Sequence, residues 1–485
     1  TQSMASSYKR HILYRCIALL VLFSAAISGS AAPTLAQAKE LYSAGKYAEA
    51  IPAFQVLLSK KPKDAALNHW YGVCLYETGK YAKAEKYLRI GSAQKILESD
   101  HYLGKLCSRF YRFEEAAKYY KSYRDGLQKN KQAVPETLLR QIEAVQTAAG
   151  LLRDVEQIQV IDSLLVNKSE FFKEYRLSPG NGKIEESLHP GIDGTAFTDA
   201  RGKWQISAHP DDNHNIKLVE RTLSDNGIWG EALPLEGGIA TPGNQNYPFL
   251  TADGSTLYYA SDGDGSIGGY DIFATRYNAG NHQFSDPRNI GMPFNSPYDD
   301  YLLAIDETLH VGWFATDRLQ IPDTVAIYLF IVNIEREAYP AETANLASLA
   351  RIGAIEDSWP EDADYDELLD SIDAIDEAEE AAPTGKDEIY FPLQNEICYT
   401  RFDDFGSEEA LNFYKKAIEL QKESEAVAAQ LRLLRRQYGQ ADNQTRQQLA
   451  PQLLDLEKKS DDMIGKPEYW MQKARETEIH YWAPN

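Results

Sequence analysis

Cysteine and long apolar runs are the scarcest features of this chain of 485 residues. It holds 4 cysteines: Cys16 near the start, then Cys74, Cys107 and Cys398. Three cysteines after the N-terminal region do not make a complete disulfide framework. Cys74 and Cys107 fall on predicted helices and are expected to be small buried residues, with a bridge between them as the alternative. Beyond residues 17–27, no stretch is apolar for the length of a membrane span.

Positive charge is also in deficit. The 50 Lys and Arg face 72 Asp and Glu, giving a net charge of −22 and a pI near 4.9. This balance argues against binding nucleic acid or an anionic membrane through general electrostatics. Lys9, Arg10 and Arg15 precede the apolar residues 17–27, and small residues follow at 28–32. Residues 1–32 are therefore predicted to be a secretory signal peptide, with a retained membrane anchor as the alternative.

A repeat occupies residues 33–152. The letters GKYAEA at 45–50 return as GKYAKA at 79–84, and Phe113 and Ala116 continue the pattern one period later. Small residues such as Gly72 and Gly104 let paired helices approach closely, and large aromatic residues fill the space between pairs. Because no pair buries its face alone, stacking must supply the core.

These residues resemble the tetratricopeptide repeat. The resemblance implies an N-terminal α-solenoid over residues 33–152, closed by a helix that Pro135 opens. It also implies that the first helix of each pair lines a concave groove for a peptide or partner protein. By that register the predicted partner-binding residues are Tyr42, His69, Tyr76, His101 and Lys105. The alternative is that these residues are solvated or belong to the core. A basic clamp for an acidic C-terminus is not evident.

A second, longer repeat follows the first. Asp253-Gly254 is a hairpin-turn signal between two apolar runs, and a third run at 270–275 follows a loop of Gly and Asp. Asp262 is matched by Asp317, and Ile272 is matched by Ile327 at the same spacing. Strand, turn, strand, loop and strand form the meander of a propeller blade.

The central unit, TADGSTLYYASDGDGSIGGYDIF, resembles the WD40-like propeller repeat common in envelope proteins of Bacteroidota. The first neighbouring unit lacks Asp-Gly, and the third lacks the paired glycines. The resemblance implies a β-propeller of about four or five blades over residues 156–405, and we expect strand regions 157–166 and 388–399 to complete its ring. Between 356 and 388, fifteen acidic residues face one lysine. Residues 341–387 are therefore predicted to be a disordered acidic insert, most simply a solubilising loop.

The chain after residue 405 has the pattern of helices. Ser407 followed by two glutamates is a typical helix start, and a break at 439–443 separates two amphipathic stretches. We expect a C-terminal helical hairpin over residues 406–485, which completes a multidomain α and β fold class. Proteins with similar propellers often carry an OmpA-like peptidoglycan-binding domain at this end, but its α/β pattern is not visible.

The sequence offers few candidate residues for catalysis or metal binding. The cluster HPDDNH at 209–214 holds two imidazoles and two carboxylates, but metal sites usually draw on distant segments as well. Asp262, Asp264 and Ser266 alternate like the start of a calcium loop without its later ligands. Ser266 does not fit Gly-x-Ser-x-Gly, and no phosphate-binding Gly-Lys-Ser/Thr loop occurs. We therefore predict no catalytic residue, no metal and no cofactor, and a protein that is not an enzyme.

The order of the domains resembles the repeat-plus-propeller component of the type IX secretion machinery, except at the C-terminus. This resemblance implies a periplasmic scaffold, associated with the outer membrane, that joins envelope proteins through the groove and a propeller face. No nucleic acid and no membrane span are expected. Two other functions remain open. One is a propeller that binds a small ligand, glycan or peptide, and the other is a metal-dependent hydrolase using the 209–214 cluster.

Overall fold

The computed structural model describes residues 34–482 except 190, 225–227, 279, 282, 334, 341, 361–362, 382–387, 395–396, 441–442 and 464–465. The predicted signal peptide lies outside the described residues. The chain divides into two compact units, residues 1–99 and 100–485. The described helices include none whose apolar stretch would suffice for a bilayer span. Cys74 and Cys107 are both buried and are not joined by a disulfide, which confirms the prediction of small buried residues over a bridge.

The first described part of the chain is helical, as the repeat predicts. Gly45 and Gly79 adopt left-handed φ values of 72° and 73° at the turns within the first two helix pairs. At both turns the next N–H bonds back to a carbonyl five residues earlier, so the helix ends in a Schellman motif that glycine accommodates without strain. The helices are α1 (Leu35–Ser43), α2 (Tyr47–Lys60), α3 (Ala65–Glu77), α4 (Tyr81–Ala93), α5 (Leu97–Arg109), α6 (Phe113–Lys129) and α7 (Glu136–Leu151).

Helix pairs meet through glycine and a large apolar side chain. In the first unit, a Cβ added to Gly72 would lie 2.8 Å from Cγ of Leu88. In the second unit, the equivalent Cβ on Gly104 would lie 2.4 Å from the ring of Tyr120. Both glycines and both partners recur at the same spacing in the sequence. The sequence pattern of small and large residues therefore marks the contact between the two helices of each pair.

In the described residues, three antiparallel sheets form the larger part of the β-rich region. The first has strand order β2-β3-β4-β5-β6, and the second is β7-β8-β9 with β10 and β11 both pairing with β9. The third has the order β1-β14-β13-β12. The strands are β1 (Gln159–Asn167), β2 (Lys183–Glu186), β3 (Thr195–Thr198), β4 (Trp204–Pro210), β5 (Ile216–Thr222), β6 (Leu233–Pro234), β7 (Gln245–Leu250), β8 (Thr256–Ser261), β9 (Asp271–Asn278), β10 (Gln283–Phe284), β11 (Arg288–Asn289), β12 (Asp300–Asp306), β13 (Val311–Thr316) and β14 (Thr324–Ile331).

The predicted closure between regions 157–166 and 388–399 is wrong. Strand β1 pairs with β14, from Gln159 opposite Ile331 to Asn167 opposite Thr324, and so completes the third sheet. The downstream strands β15 (Glu388–Gln394) and β16 (Ile397–Arg401) form a separate two-stranded sheet. Phe391 and Tyr399 of that sheet pack with Tyr414 of the C-terminal helices. Within the described residues no sheet closes on itself, so the structure does not show a ring of four or five blades.

The longer sequence period corresponds to a repeated hydrogen bond within the second and third sheets. In the second sheet, the N–H of Asn244 donates to Oδ1 of Asp262 at 2.6 Å. In the third, the N–H of Asp299 donates to Oδ1 of Asp317 at 3.0 Å. Both members of the pair are displaced by the same number of positions, which is the period of the repeat. The aspartate that follows the second strand thus fastens the residue that precedes the first strand.

The same two residues, Asn244 and Asp299, also join each sheet to the preceding one. Oδ1 of Asn244 accepts the N–H of Ile216 from the first sheet at 2.9 Å. Oδ1 of Asp299 accepts the N–H of Tyr270, at the edge of the second sheet, at 2.8 Å. We call Asn244 and Asp299 the joint residues. The same kind of hydrogen bond, from a backbone N–H to a side-chain oxygen, therefore joins the first sheet to the second and the second to the third.

The paired glycines of the central unit lie at the contact between the second and third sheets. A Cβ on Gly268 would stand 2.0 Å from the carbonyl oxygen of Tyr298, and one on Gly269 would stand 1.9 Å from Oδ1 of Asp299. Only glycine allows the backbone so close. Within the described residues, no further sheet follows the third sheet in this way. The third sheet repeat therefore has, in the described chain, no such contact that would require paired glycines.

The acidic segment is more ordered than predicted. It contains α8 (Leu346–Arg351), a 3₁₀ turn (Ile355–Ser358) and α9 (Asp366–Ala381). The Trp359 indole N–H donates to the carbonyl of Val160 at 2.6 Å, and the Ser358 hydroxyl accepts the N–H of Val160 at 2.9 Å. Ile372 is buried in the core of the sheets. The prediction of a disordered insert over 341–387 is therefore wrong for these described elements, because their apolar residues pack despite the surrounding charge.

The described residues of the C-terminal part form three helices, where the sequence predicted a hairpin. They are α10 (Glu408–Gln440), α11 (Asn443–Met463) and α12 (Lys466–Trp482). Pro467 lies in the first turn of α12, where its missing N–H costs no hydrogen bond, so it begins a helix in place of interrupting one. The buried carboxylate of Glu478 accepts the N–H groups of Gly406 and Ser407 at 2.6 and 3.0 Å. This contact fixes α12 beside the start of α10.

Candidate partner-binding surface

Tyr42 and Tyr76, two of the predicted groove residues, occupy equivalent places in the first unit. The Tyr42 ring meets Tyr47 edge-on at 5.7 Å, and the Tyr76 ring meets Tyr81 in the same way at 5.4 Å. Both predicted residues are half-buried. Burial, followed by the nearby Tyr47, raises the pKa of Tyr42 to about 12. Each ring supports the turn inside its helix pair and leaves part of its surface to solvent.

His69 lies inside the helix packing. It is buried, and its Nδ1 is 3.0 Å from the hydroxyl oxygen of Ser99. Burial lowers the pKa of His69 below its ordinary value, against an opposing effect of Glu98. Gly91 leaves room for this contact, since a Cβ there would collide with Ser99. The ring therefore offers no surface to a partner, and the prediction of His69 as a groove residue is corrected to a core position.

His101 and Lys105 belong to the second unit. The His101 ring stacks on Tyr123 at 4.9 Å, and its Nε2 is 3.2 Å from Oε1 of Gln141 on α7. Burial, then the neighbouring Lys105, lowers the pKa of His101. The ammonium of Lys105 stands 5.1 Å from the centre of the Tyr102 ring. Both side chains are half-buried. The continuous five-residue groove stays a prediction, because its members fall in two units.

Two surface residues of the first unit were missed by the sequence reasoning. The ammonium of Lys39 on α1 lies 4.2 Å from the ring centre of Trp70 on α3. Lys39 is exposed and Trp70 is half-buried. Tyr42 follows Lys39 by three residues, so the helical register places these two side chains side by side. Trp70 reaches the same region through the fold, since the rings of Tyr42 and Trp70 lie 6.3 and 6.0 Å from Phe54. A partially exposed Trp with an adjacent cation is typical of protein-binding surfaces.

The candidate metal ligands in the β-rich region include residues that make contacts within the protein. Oδ1 of Asp211 accepts the N–H groups of Asn213 and Asn215 at 2.8 and 2.9 Å, which closes the β4–β5 hairpin. The His209 ring meets His189 edge-on at 5.3 Å. In the part of the chain that the structure describes, no group of three or more His, Cys, Asp or Glu could hold a metal ion. Asp262, part of the second candidate, is engaged with Asn244.

The space between the three sheets is filled. The Phe171 ring lies 5.7 Å from Tyr247 and 5.8 Å from Tyr301. The Tyr175 hydroxyl donates to the carbonyl of Leu302 at 2.8 Å. A cavity of about 40 Å³ lies beside Lys168 and Phe171, which has room for a few water molecules. A ligand of the alternative hypothesis would share this region with the packed rings of Phe171, Tyr247 and Tyr301.

Asp271 and Asp300 are among the buried carboxylates that hold loops around the second and third sheets. Asp271 accepts the Ser266 hydroxyl, the N–H groups of Ile267 and Gly268, and the Asn289 amide, at 2.7 to 3.1 Å. Burial raises the pKa of Asp271 to about 8. The second is Asp300, whose pKa burial raises to about 6 although its ion-pair partner, a buried arginine, opposes the shift. Both are enclosed by protein groups, so neither reaches a substrate.

Residues 35–93 match the tetratricopeptide repeat family. The match runs from the first residue of α1 to the last residue of α4, and it confirms the helical repeats of that region. No curated protein matches the chain. Because tetratricopeptide repeats generally mediate binding between proteins, the match suggests a protein-interaction role. It says nothing of the sheets or of the C-terminal helices.

Proposed function

We propose that this protein is a non-enzymatic scaffold of the periplasm, associated with the outer membrane, that joins envelope proteins. The observation that carries the proposal is the repeat match over residues 35–93, together with half-buried aromatic side chains and the exposed Lys39 on the first helices of its pairs. Tyr42, Tyr76 and the Lys39–Trp70 pair form the contact surface in the first unit. Stacked repeats present such side chains on a preformed surface, which lowers the entropic cost of binding.

The β-rich region serves in this proposal as a second rigid surface of propeller-like construction. The joint residues support this, because equivalent polar contacts connect successive sheets as they would connect successive blades. The helix α9 and the 3₁₀ turn before it cover part of the third sheet in place of further blades. The domain order keeps its resemblance to the repeat-plus-propeller component of type IX secretion, and that machinery is one candidate setting for the scaffold.

The test is affinity purification of the tagged full chain from a native envelope extract. We expect specific envelope proteins to be recovered with the unmodified chain and lost when Tyr42, Tyr76 and Lys105 are changed together to Ala. Half-buried aromatic residues at interfaces contribute about 2 kcal/mol or more each, so the triple change should weaken binding by more than a hundredfold.

The matched control is the pair Lys83→Ala and Lys86→Ala on α4. Both lysines are exposed and lie on the second helix of a pair. This control variant should keep every partner. If the triple variant keeps all its partners while remaining folded by circular dichroism, the helical surface is not the binding site. Recovery of the chain in the cytoplasmic fraction would contradict the proposed location.

A further inference from the structure

A cavity of about 250 Å³ opens beside the second sheet, away from the predicted partner-binding residues. Strands β8 and β9 supply its inner wall, and the loops around 238–241, 262–269 and 285–287 supply its rim. Its wall includes Thr241, Tyr259, Ser261, Asp264, Phe273 and Asp286. The cavity lies beside the second sheet, whose sequence is the central repeat. The repeat pattern alone did not predict a cavity there.

The floor of this cavity is aromatic and well fixed. Tyr259 and Phe273 stack with ring centres 6.2 Å apart and planes 29° apart. Their exposed fractions are 1% and 5%, so neighbouring core residues hold both rings in place. The Ser261 hydroxyl accepts the N–H of Gly263 at 3.2 Å. A preformed apolar wall of this kind needs no reorganisation on binding.

The rim of the cavity carries negative charge. Asp264 and Asp286 are both exposed, and they come from different loops. Among the described residues, neither carboxylate has a Lys, Arg or His within ion-pair distance. The two carboxylates therefore offer a site for a cation that no described Lys, Arg or His occupies, and the floor offers apolar surface beside them.

The size of the cavity narrows the ligand class. Pockets for drug-sized ligands typically occupy about 300–1,000 Å³, and this one is smaller. We propose that it binds an organic cation, a guanidinium or primary ammonium group, carried on a short aliphatic chain. The charged group lies between Asp264 and Asp286 at the rim, and the aliphatic chain lies against Tyr259 and Phe273. The source is either a free small molecule or the side chain of an Arg or Lys of a partner.

The proposal is tested by ligand-observed saturation-transfer NMR on the full chain. The probes are agmatine, for a free small molecule, and N-acetyl-argininamide, for a side chain. N-acetyl-citrullinamide is the matched neutral control, because it keeps the shape and loses the charge. We expect both cations to bind and the citrulline compound to give no signal. Tighter binding of agmatine identifies a small-molecule source, and tighter binding of the arginine compound identifies a partner side chain.

Variants connect the signal to the cavity. Asp264→Asn and Asp286→Asn should each weaken binding about threefold to fivefold, as exposed charge pairs do, and the double change about tenfold or more. Asp212→Asn, an exposed position in the corresponding loop of the first sheet, removes the same charge and should change nothing. Affinity should also fall with added salt. Equal binding of the citrulline compound, or unchanged affinity in the double variant, would overturn the proposal.

Discussion

The helical repeats and the sheets solve the same problem, joining small modules, with opposite chemistry. Helix pairs meet through glycine against apolar side chains, as with Gly72 and Leu88. Successive sheets meet through the joint residues Asn244 and Asp299 and through buried carboxylates. An apolar contact depends on shape and burial alone, whereas a polar contact depends on matched donors and on protonation. The two regions should therefore respond differently to pH and to substitution.

The largest expected effect is an opposite response to pH. Burial raises the pKa of Asp271 to about 8 and that of Asp300 to about 6. The folded sheets therefore hold more protons than the unfolded chain, and their stability falls as pH rises from about 4 to about 8. A pKa difference of one is worth about 1.4 kcal/mol, so the change is several kcal/mol. Burial lowers the pKa of His69 from 6.5, so the first unit instead loses stability as the pH falls below that value.

Hydrogen exchange followed by mass spectrometry, corrected for intrinsic rates, separates the two responses. Peptides from β8 and β9 should become less protected between pH 5 and 8, while peptides from α3 and α4 should not. Asp271→Asn should flatten the response of the sheets, and His69→Gln should flatten that of the helices. A common slope in both regions would show that these buried groups do not control the response.

The second largest effect is expected at Arg318. Its guanidinium donates to Asp300 at 3.2 Å and to the carbonyl of Phe294 at 2.7 Å, and it lies over the Phe314 ring. Arg318→Met should destabilise the β-rich region by about 3–5 kcal/mol, because it leaves a buried carboxylate without its partner. Urea denaturation provides the measurement. Adding Asp300→Asn should restore part of the loss, and strictly additive losses would contradict the pairing.

The repeats were predictable because their signals are local. Residues 45–50 and 79–84 show the helical period directly, and Asp262 and Asp317 mark the longer period of the sheets. The strand β1 could not be paired in this way, since its partner β14 lies about 160 residues further along and pairing depends on the assembled sheet. His69 shows a related limit. The helical register placed it on a groove-facing helix, but its burial depends on Ser99 from another helix.

Charge concealed an apolar pattern in the acidic segment. Four residues have the spacing of an apolar helical stripe and contribute to the core of the sheets: Tyr365, Leu368, Leu369 and Ile372. Fifteen acidic residues between 356 and 388 led to a prediction of disorder. Mean charge was the wrong guide here, because a helix needs only one apolar face to pack. The cavity beside β8 and β9 could not be predicted, since its walls come from three separated loops and two strands.

Two glycines give the next comparison. Gly268→Ala would place a Cβ 2.0 Å from a backbone carbonyl, and Gly104→Ala would place one 2.4 Å from the Tyr120 ring. A ring can rotate or shift, whereas a carbonyl held between sheets cannot. We expect losses of about 3 kcal/mol for Gly268→Ala and about 1–2 kcal/mol for Gly104→Ala. Thermal unfolding gives the order, and a reversed order would mean that the sheets adjust more easily than the helices.

The joint residues can be compared by substituting one with the residue type of the other. Asn244 performs in the second sheet what Asp299 performs in the third, with a side-chain oxygen that accepts one N–H. Asp299→Asn should therefore cost less than about 1 kcal/mol, while Asp299→Ala should cost about 2 kcal/mol because the N–H of Tyr270 loses its acceptor. Urea denaturation measures both. Equal losses in the two variants would argue that the charge, and not the shared oxygen, makes the joint.

The smallest expected effect concerns a buried hydroxyl group in the apolar packing between helices. Tyr111 is buried in an apolar cluster that includes residues of α5–α7, has a left-handed φ of 57°, and has the charges of Arg318 and Asp300 nearby. Its hydroxyl has no hydrogen-bond partner among the described residues. Tyr111→Phe keeps the ring and removes this group, so it should stabilise the protein by about 1 kcal/mol. Tyr175→Phe is the matched control, since that hydroxyl donates to Leu302, and its removal should destabilise the protein by a similar amount. If both variants lose stability, the Tyr111 hydroxyl contributes to the polar contacts between the sheets, and the contrast between the two kinds of joint fails at this residue.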